Sequence, residues 1–104
     1  MTPANEGLGE SLGIALREIR IRRDLSIMDL AQQVSGRTYI SALERGAKQP
    51  TLAKIDEISR HLGLHPLALL VYAYQIHEEI EPIELMARIK RDLESIQLWE
   101  GSRT

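Results

Sequence analysis

The chain has 104 residues, 43% of them hydrophobic, with no Phe, no Cys and a formal net charge of −2. That length holds one domain with a single core, here necessarily aliphatic, and the missing cysteine excludes disulfides and thiolate metal sites and suits a reducing cytoplasm. No apolar run approaches a membrane span, and the opening MTPANEGLGE lacks the basic-then-apolar layout of a signal peptide.

The net charge hides an asymmetry. Residues 11–54 carry eight basic side chains (Arg17, Arg20, Arg22, Arg23, Arg37, Arg45, Lys48, Lys54) against four acidic ones (Glu18, Asp24, Asp29, Glu44). Residues 63–104 carry four basic and seven acidic side chains. Contact with a polyanion therefore belongs to the first half.

In chain order, residues 1–8 contain Pro, Gly and Asn and predict a disordered start. From about Gly9 to Arg23, Leu12, Ala15, Leu16 and Ile19 recur at helical spacing and predict one buried face. Ser26 suits the N-cap of a second helix, about Ile27 to Val34, with Asp29 at the third position and Leu30, Ala31 and Val34 inward. Ser35-Gly36 breaks that helix. A third runs from Arg37 or Thr38 to Arg45, with Ile40 and Leu43 inward and Gly46 as a left-handed stop.

Pro50-Thr51 opens a fourth helix, capped by Thr51, with Leu52, Ile55 and Ile58 inward and Gly63 at its close. Pro66 sits in the first turn of a fifth, about residues 66–78, which is apolar on most sides. Pro82 starts a sixth. There Ile83, Met86, Ile89, Leu93 and Ile96 form a narrow stripe of the kind found at helix–helix seams, with Trp99 covering its end. Such a stripe can also fold back on its own domain; pairing with a second copy is the favoured reading. No strand alternation, repeat or low-complexity tract is present, so the expected class is all-α.

Residues 25–46, LSIMDLAQQVSGRTYISALERG, combine the features of a helix-turn-helix. Ala31 is a small residue placed for a close crossing. Ser35-Gly36 supplies the turn, and Ile40 and Leu43 anchor the second helix. Arg37, Thr38, Ser41 and Ala42 are polar or small groups expected to face outward, toward DNA. Arginine can donate two hydrogen bonds to a guanine edge, and threonine offers a hydroxyl and a methyl suited to thymine. Phosphates would be held around the rim by side chains and backbone N–H groups.

The pieces LREIRIRRDLS, DLAQQV, RTYISALERG and QPTLAKIDEISRHLGLHPLALL, from about Leu12 to Leu70, resemble the phage-repressor and Cro-like helix-turn-helix family. RTYIS alone is similar to controller proteins of restriction–modification systems. The family resemblance implies a five-helix domain whose third helix reads base edges through Arg37, Thr38, Ser41 and Ala42. It implies phosphate contacts at Ser26, Arg45, Lys48 and Gln49, and an Arg20–Glu44 pair tying the first helix to the third. The chain departs from the family at Ile27, where glutamine is usual and which cannot bond a phosphate, and its turn is one residue shorter.

The expected organisation is a disordered start over 1–8, a DNA-binding domain over 9–79, a dimerisation helix over 80–98 and a tail over 99–104. The expected function is a cytoplasmic, non-enzymatic transcriptional regulator, a repressor binding an inverted-repeat operator of double-stranded DNA as a homodimer, without metal or cofactor. The surplus apolar surface of the last two helices also fits an antitoxin that binds a partner protein and regulates its own gene. Arg22 and Arg23 read mainly as a solvated face, and Arg45 also suits the dipole at a helix C-terminus. Tyr39 is expected to pack on the domain with its hydroxyl wet, and Tyr72 and Tyr74 to be core or dimer contacts. His61, His65 and His77 read as surface or interface residues, because Gly63 and Pro66 interrupt their spacing and no nucleophile or carboxylate pair completes a site.

Overall fold

Capping chemistry decides where the helices begin, and the computed structural model, which describes residues 7–34 and 36–100, follows it closely. In order these are α1 (Leu8–Arg22), α2 (Ile27–Gln33), α3 (Arg37–Glu44), α4 (Leu52–His61), α5 (Pro66–Glu78) and α6 (Pro82–Ser95). Among the described residues there is no strand, and no helix is long and apolar enough to cross a membrane. Residues 1–6 of the expected disordered start, Ser35 of the expected turn and residues 101–104 of the expected tail lie outside the described residues. Leu8, placed in that start by the sequence, is instead the first residue of α1.

Ser26 and Asp29 form a reciprocal cap. The Asp29 N–H donates to Ser26 Oγ (3.0 Å), and the Ser26 N–H donates to Asp29 Oδ2 (2.8 Å). These bonds, the one from the Ser26 backbone above all, hold the Asp29 carboxyl below its usual range. Ser26→Ala is therefore expected to cost about 0.5–2 kcal/mol, read as a fall in Tm. A carboxyl whose folded value is lowered adds stability that is present above its unfolded value and lost as pH falls through the folded one. The wild-type advantage over Asp29→Asn should thus fade in acid below the ordinary carboxylate range.

Thr51 Oγ1 accepts from the Lys54 N–H (3.1 Å) to start α4, and proline occupies the first turn of both α5 and α6. His65 caps α5, its Nδ1 accepting from the Leu67 N–H at 3.0 Å. Gly46 and Gly63, at φ +74° and +77°, take the left-handed conformation that ends α3 and α4.

Ala15, Leu16, Leu30, Ile40, Leu43, Ile55, Ile58, Leu62, Leu69 and Ala73 make one core shared by the first five helices. α5 lies along α1, and α3 is seated on α1 and α2. The α1–α5 pair is thus the scaffold on which the α2–α3 unit stands. Leu52 corrects the sequence expectation: it is 78% exposed. Its place on the first turn of α4 puts it ahead of the buried face, which runs through Ile55, Ile58, Ser59 and Leu62.

α6 folds against α5. Its one buried residue is Leu85, which the predicted stripe omitted; Ile89 and Leu93 are half-buried, whereas Ile83 is 79% exposed and Met86 and Ile96 are also open. The stripe is therefore divided between a contact within the chain and a free surface.

Candidate nucleic-acid interface

The short α2–α3 unit owes its rigidity to residues pointing inward. Leu30 is buried on α2, with Ala31 and Val34 packed beside it; on α3 the buried residues are Ile40, Leu43 and Ala42. Helical periodicity then leaves Arg37, Thr38, Ser41 and Arg45 around one shallow open depression. Arg37, Thr38 and Arg45 are exposed and Ser41 half-buried. Ala42 is a correction. It is 6% exposed and does not share the open face. One helical step of about 100° beyond Ser41 turns it toward the Leu43 side, and its carbonyl accepts from the Ala47 N–H (2.9 Å) in the turn that leaves the helix.

The far end of α3 is bonded to α1. Arg20 Nε and Nη2 donate to Glu44 Oε2 (2.6 Å) and Oε1 (3.0 Å), and Nη1 donates to the Leu25 carbonyl (2.7 Å). The two side chains are 9% and 5% exposed. Glu44, chiefly through its hydrogen bonds, raises the Arg20 pKa above its ordinary value. The Arg20–Glu44 pair implied by the resemblance is thus present, and it reaches the loop before α2 as well.

Two glycines make a contact that sequence reasoning missed. A Cβ on Gly13 would lie 2.5 Å from the Leu43 carbonyl oxygen and 2.6 Å from that of Glu44. A Cβ on Gly46 would lie 2.9 Å from Glu10 Cα. The backbones of α1 and the end of α3 therefore touch directly. The available signal was a glycine inside an otherwise helical pattern, which marks either a tolerated cost or a close approach.

Of the other predicted site residues, Ser26 is exposed at the start of α2, its hydroxyl accepting from Asp29. Lys48 is exposed, with its ammonium 6.0 Å from the centroid of the Tyr39 ring, a cation–π distance. Tyr39 is half-buried against the core. Gln49 is exposed and its side chain lies over Gly9. Arg45 does not extend into the loop: its Nη1 donates to Ser41 Oγ at 2.7 Å.

The histidines have structural partners. His61 Nδ1 lies 2.8 Å from Gln33 Oε1, joining α4 to α2, His65 caps α5, and His77 meets the Tyr74 ring edge-on. Tyr72 on α5 donates to Glu18 on α1, and that bond raises its pKa. No group of three or more His, Cys, Asp or Glu side chains that could hold a metal occurs among the described residues.

Set beside known proteins, residues 16–69 match the helix-turn-helix family model. An uncharacterised HTH-type transcriptional regulator of Mycobacterium bovis is 41% identical over 58 residues, which is 55% of this chain and 23% of that protein. A regulator of the same description from Mycobacterium tuberculosis gives the same figures. The chain thus spans about a quarter of the length of the curated relatives it matches. A crystal structure of the clp gene regulator ClgR from Corynebacterium glutamicum is similar with a TM-score of 0.65 and 30% identity, over 67% of this chain and 91% of that one. A second ClgR structure gives a TM-score of 0.67 and 26% identity, over 88% and 96%.

Proposed function

We propose, on the premise that this chain belongs to the phage-repressor and Cro-like helix-turn-helix family of transcriptional regulators, that residues 9–79 bind double-stranded DNA sequence-specifically and repress transcription as a homodimer. The observation that carries this reading is the open face of α3. Arg37 and Thr38 stand exposed at its start, on a helix whose other side is sealed into the core. Arg37 supplies paired donors for a guanine edge and Thr38 a methyl for thymine. Ser26, Lys48 and Gln49 supply the rim that follows phosphates and fixes the register. The surplus of basic residues over 11–54 adds affinity that weakens with salt.

Residues 80–98 serve dimerisation in this reading. Support comes from an open apolar groove of about 370 Å³ between α5 and α6, lined by Leu67, Leu70, Val71, Tyr74, Leu85 and Ile89 among others. The exposed Ile83 and Met86 on the same helix pair give a second copy both a ridge and a groove to match. A twofold dimer would set two α3 helices in successive major grooves about 34 Å apart, so the operator is an inverted repeat. Occupying a promoter there blocks polymerase.

Selection of bound duplexes from a random pool at two salt concentrations tests the reading: an inverted repeat is expected, and recovery of no sequence preference refutes it. Arg37→Ala should cost about 1–3 kcal/mol and relax one base position in each half-site, whereas Lys48→Ala should weaken all sequences alike and reduce the salt slope by about 1. Ile83→Asp with Met86→Asp alters exposed side chains, so the fold should survive while sedimentation shifts from dimer to monomer and operator affinity falls. A wild-type chain that sediments as a monomer at concentrations on the order of micromolar would refute the dimer.

A further inference from the structure

The family resemblance puts Arg45 among the residues that follow the DNA backbone, but its side chain lies elsewhere. Arg45 continues the helical backbone as the C-cap of α3 (φ −83°, ψ −3°). Its side chain runs back toward the start of the helix, as long helical side chains do, and donates from Nη1 to Ser41 Oγ (2.7 Å). Arg37, Ser41 and Arg45 stand four residues apart on one row, and with Thr38 they surround the same open depression. Arg45 is exposed, and among the described residues no carboxylate pairs with it.

A guanidinium with one nitrogen on a hydroxyl still presents the N–H groups of its other nitrogens, in a planar fork. Two such donors are what the O6 and N7 acceptors of guanine require in the major groove. The bond to Ser41 fixes the fork beforehand, so less side-chain freedom is lost on binding. A residue reaching outward to phosphate would need no such anchor on the reading face.

We infer that Arg45 reads a guanine edge, a specificity-determining contact beyond that of Arg37, and that Ser41 is its positioning residue rather than an independent reader. The inference rests on the DNA-binding reading above.

Duplex selection with the wild-type chain and with Arg45→Ala, Arg45→Lys, Ser41→Ala and the Ser41→Ala/Arg45→Ala double variant tests it; both positions fall on the open face, and thermal unfolding checks that each of the four variants folds. The wild type should prefer guanine at one position per half-site in addition to the one that Arg37→Ala relaxes. Arg45→Ala should lose that preference by about tenfold or more. Arg45→Lys should not restore it, because an ammonium keeps the charge but lacks the fork. Ser41→Ala should weaken the same preference, with no further loss in the double variant. Equal weakening of every sequence by Arg45→Ala, with recovery in Arg45→Lys, would make Arg45 a phosphate contact and overturn the inference. So would Ser41→Ala relaxing a different position. A wild-type chain that selects no sequence refutes the DNA-binding reading itself, an outcome distinct from either.

Discussion

Gly13→Ala is expected to lower the Tm by on the order of 10–20 °C, a loss of roughly 2–3 kcal/mol in a chain of this size. Inside an exposed helix the same change gains up to about 1 kcal/mol, because alanine favours the helix. Here the added methyl meets the carbonyl oxygens of Leu43 and Glu44 at 2.5 and 2.6 Å. Both are backbone atoms, so neither can swing aside as a flexible side chain would. α1 and α3 must part, and Leu16, Ile40 and Leu43 lose packing with them. Gly9→Ala is the matched control: its neighbour is the Gln49 side chain, at 3.2 Å and exposed, which can move away. Circular dichroism melting of the two variants checks the difference, and an unchanged Tm for Gly13→Ala would contradict the close α1–α3 contact.

Glu44→Ala should be the most damaging single change to the reading unit, at about 3–5 kcal/mol. It leaves the Arg20 guanidinium 9% exposed with the Leu25 carbonyl as its remaining partner. Removing one member of a buried pair costs more than the pair is worth, because the other charge stays in a poor solvent. The half-buried pair Lys54–Glu57 and the exposed pairs Arg60–Asp56 and Arg88–Asp92, all within single helices at the surface, offer the contrast, at up to about 1 kcal/mol each. The double change Arg20→Met with Glu44→Leu should recover much of the loss, since it removes both charges and keeps apolar volume; denaturant unfolding of the wild type, Arg20→Met, Glu44→Leu and the double variant gives the coupling directly. Because the Arg20 pKa is raised in the fold, the stability linked to the Arg20 proton is fully present below the ordinary arginine range and is lost as pH climbs through the raised value in strong alkali.

The helix boundaries were legible because their signals are local. Ser26, Thr51, Pro66, Pro82, Gly46 and Gly63 each act on backbone within a few residues, and each marks a helix end in the structure. The Arg20–Glu44 pair spans 24 positions and came only with the family resemblance. The role of Gly13 was not legible, since its contact is with backbone of another element and no side-chain pattern records it.

The division of the α6 stripe and the inward turn of Ala42 were not legible, for a related reason. Spacings of three and four admit two neighbouring faces on one helix. Which of them is covered depends on where α5, or the turn after α3, comes to lie. The bond between Arg45 and Ser41 was equally out of reach, because a rotamer, unlike a cap, leaves no mark in composition.

The double attachment of α3, by its glycine contact and by its buried ion pair, also limits how the proposed dimer adapts to its target. Each copy presents a fixed tooth rather than a hinged one. A half-site displaced by one base pair must then be met by twisting the duplex, or by bending at Glu79–Glu81, the short joint between α5 and α6 where Glu79 already takes φ +53°. Operators with altered spacers should accordingly be rejected steeply, and suppressors of that rejection should gather at this joint.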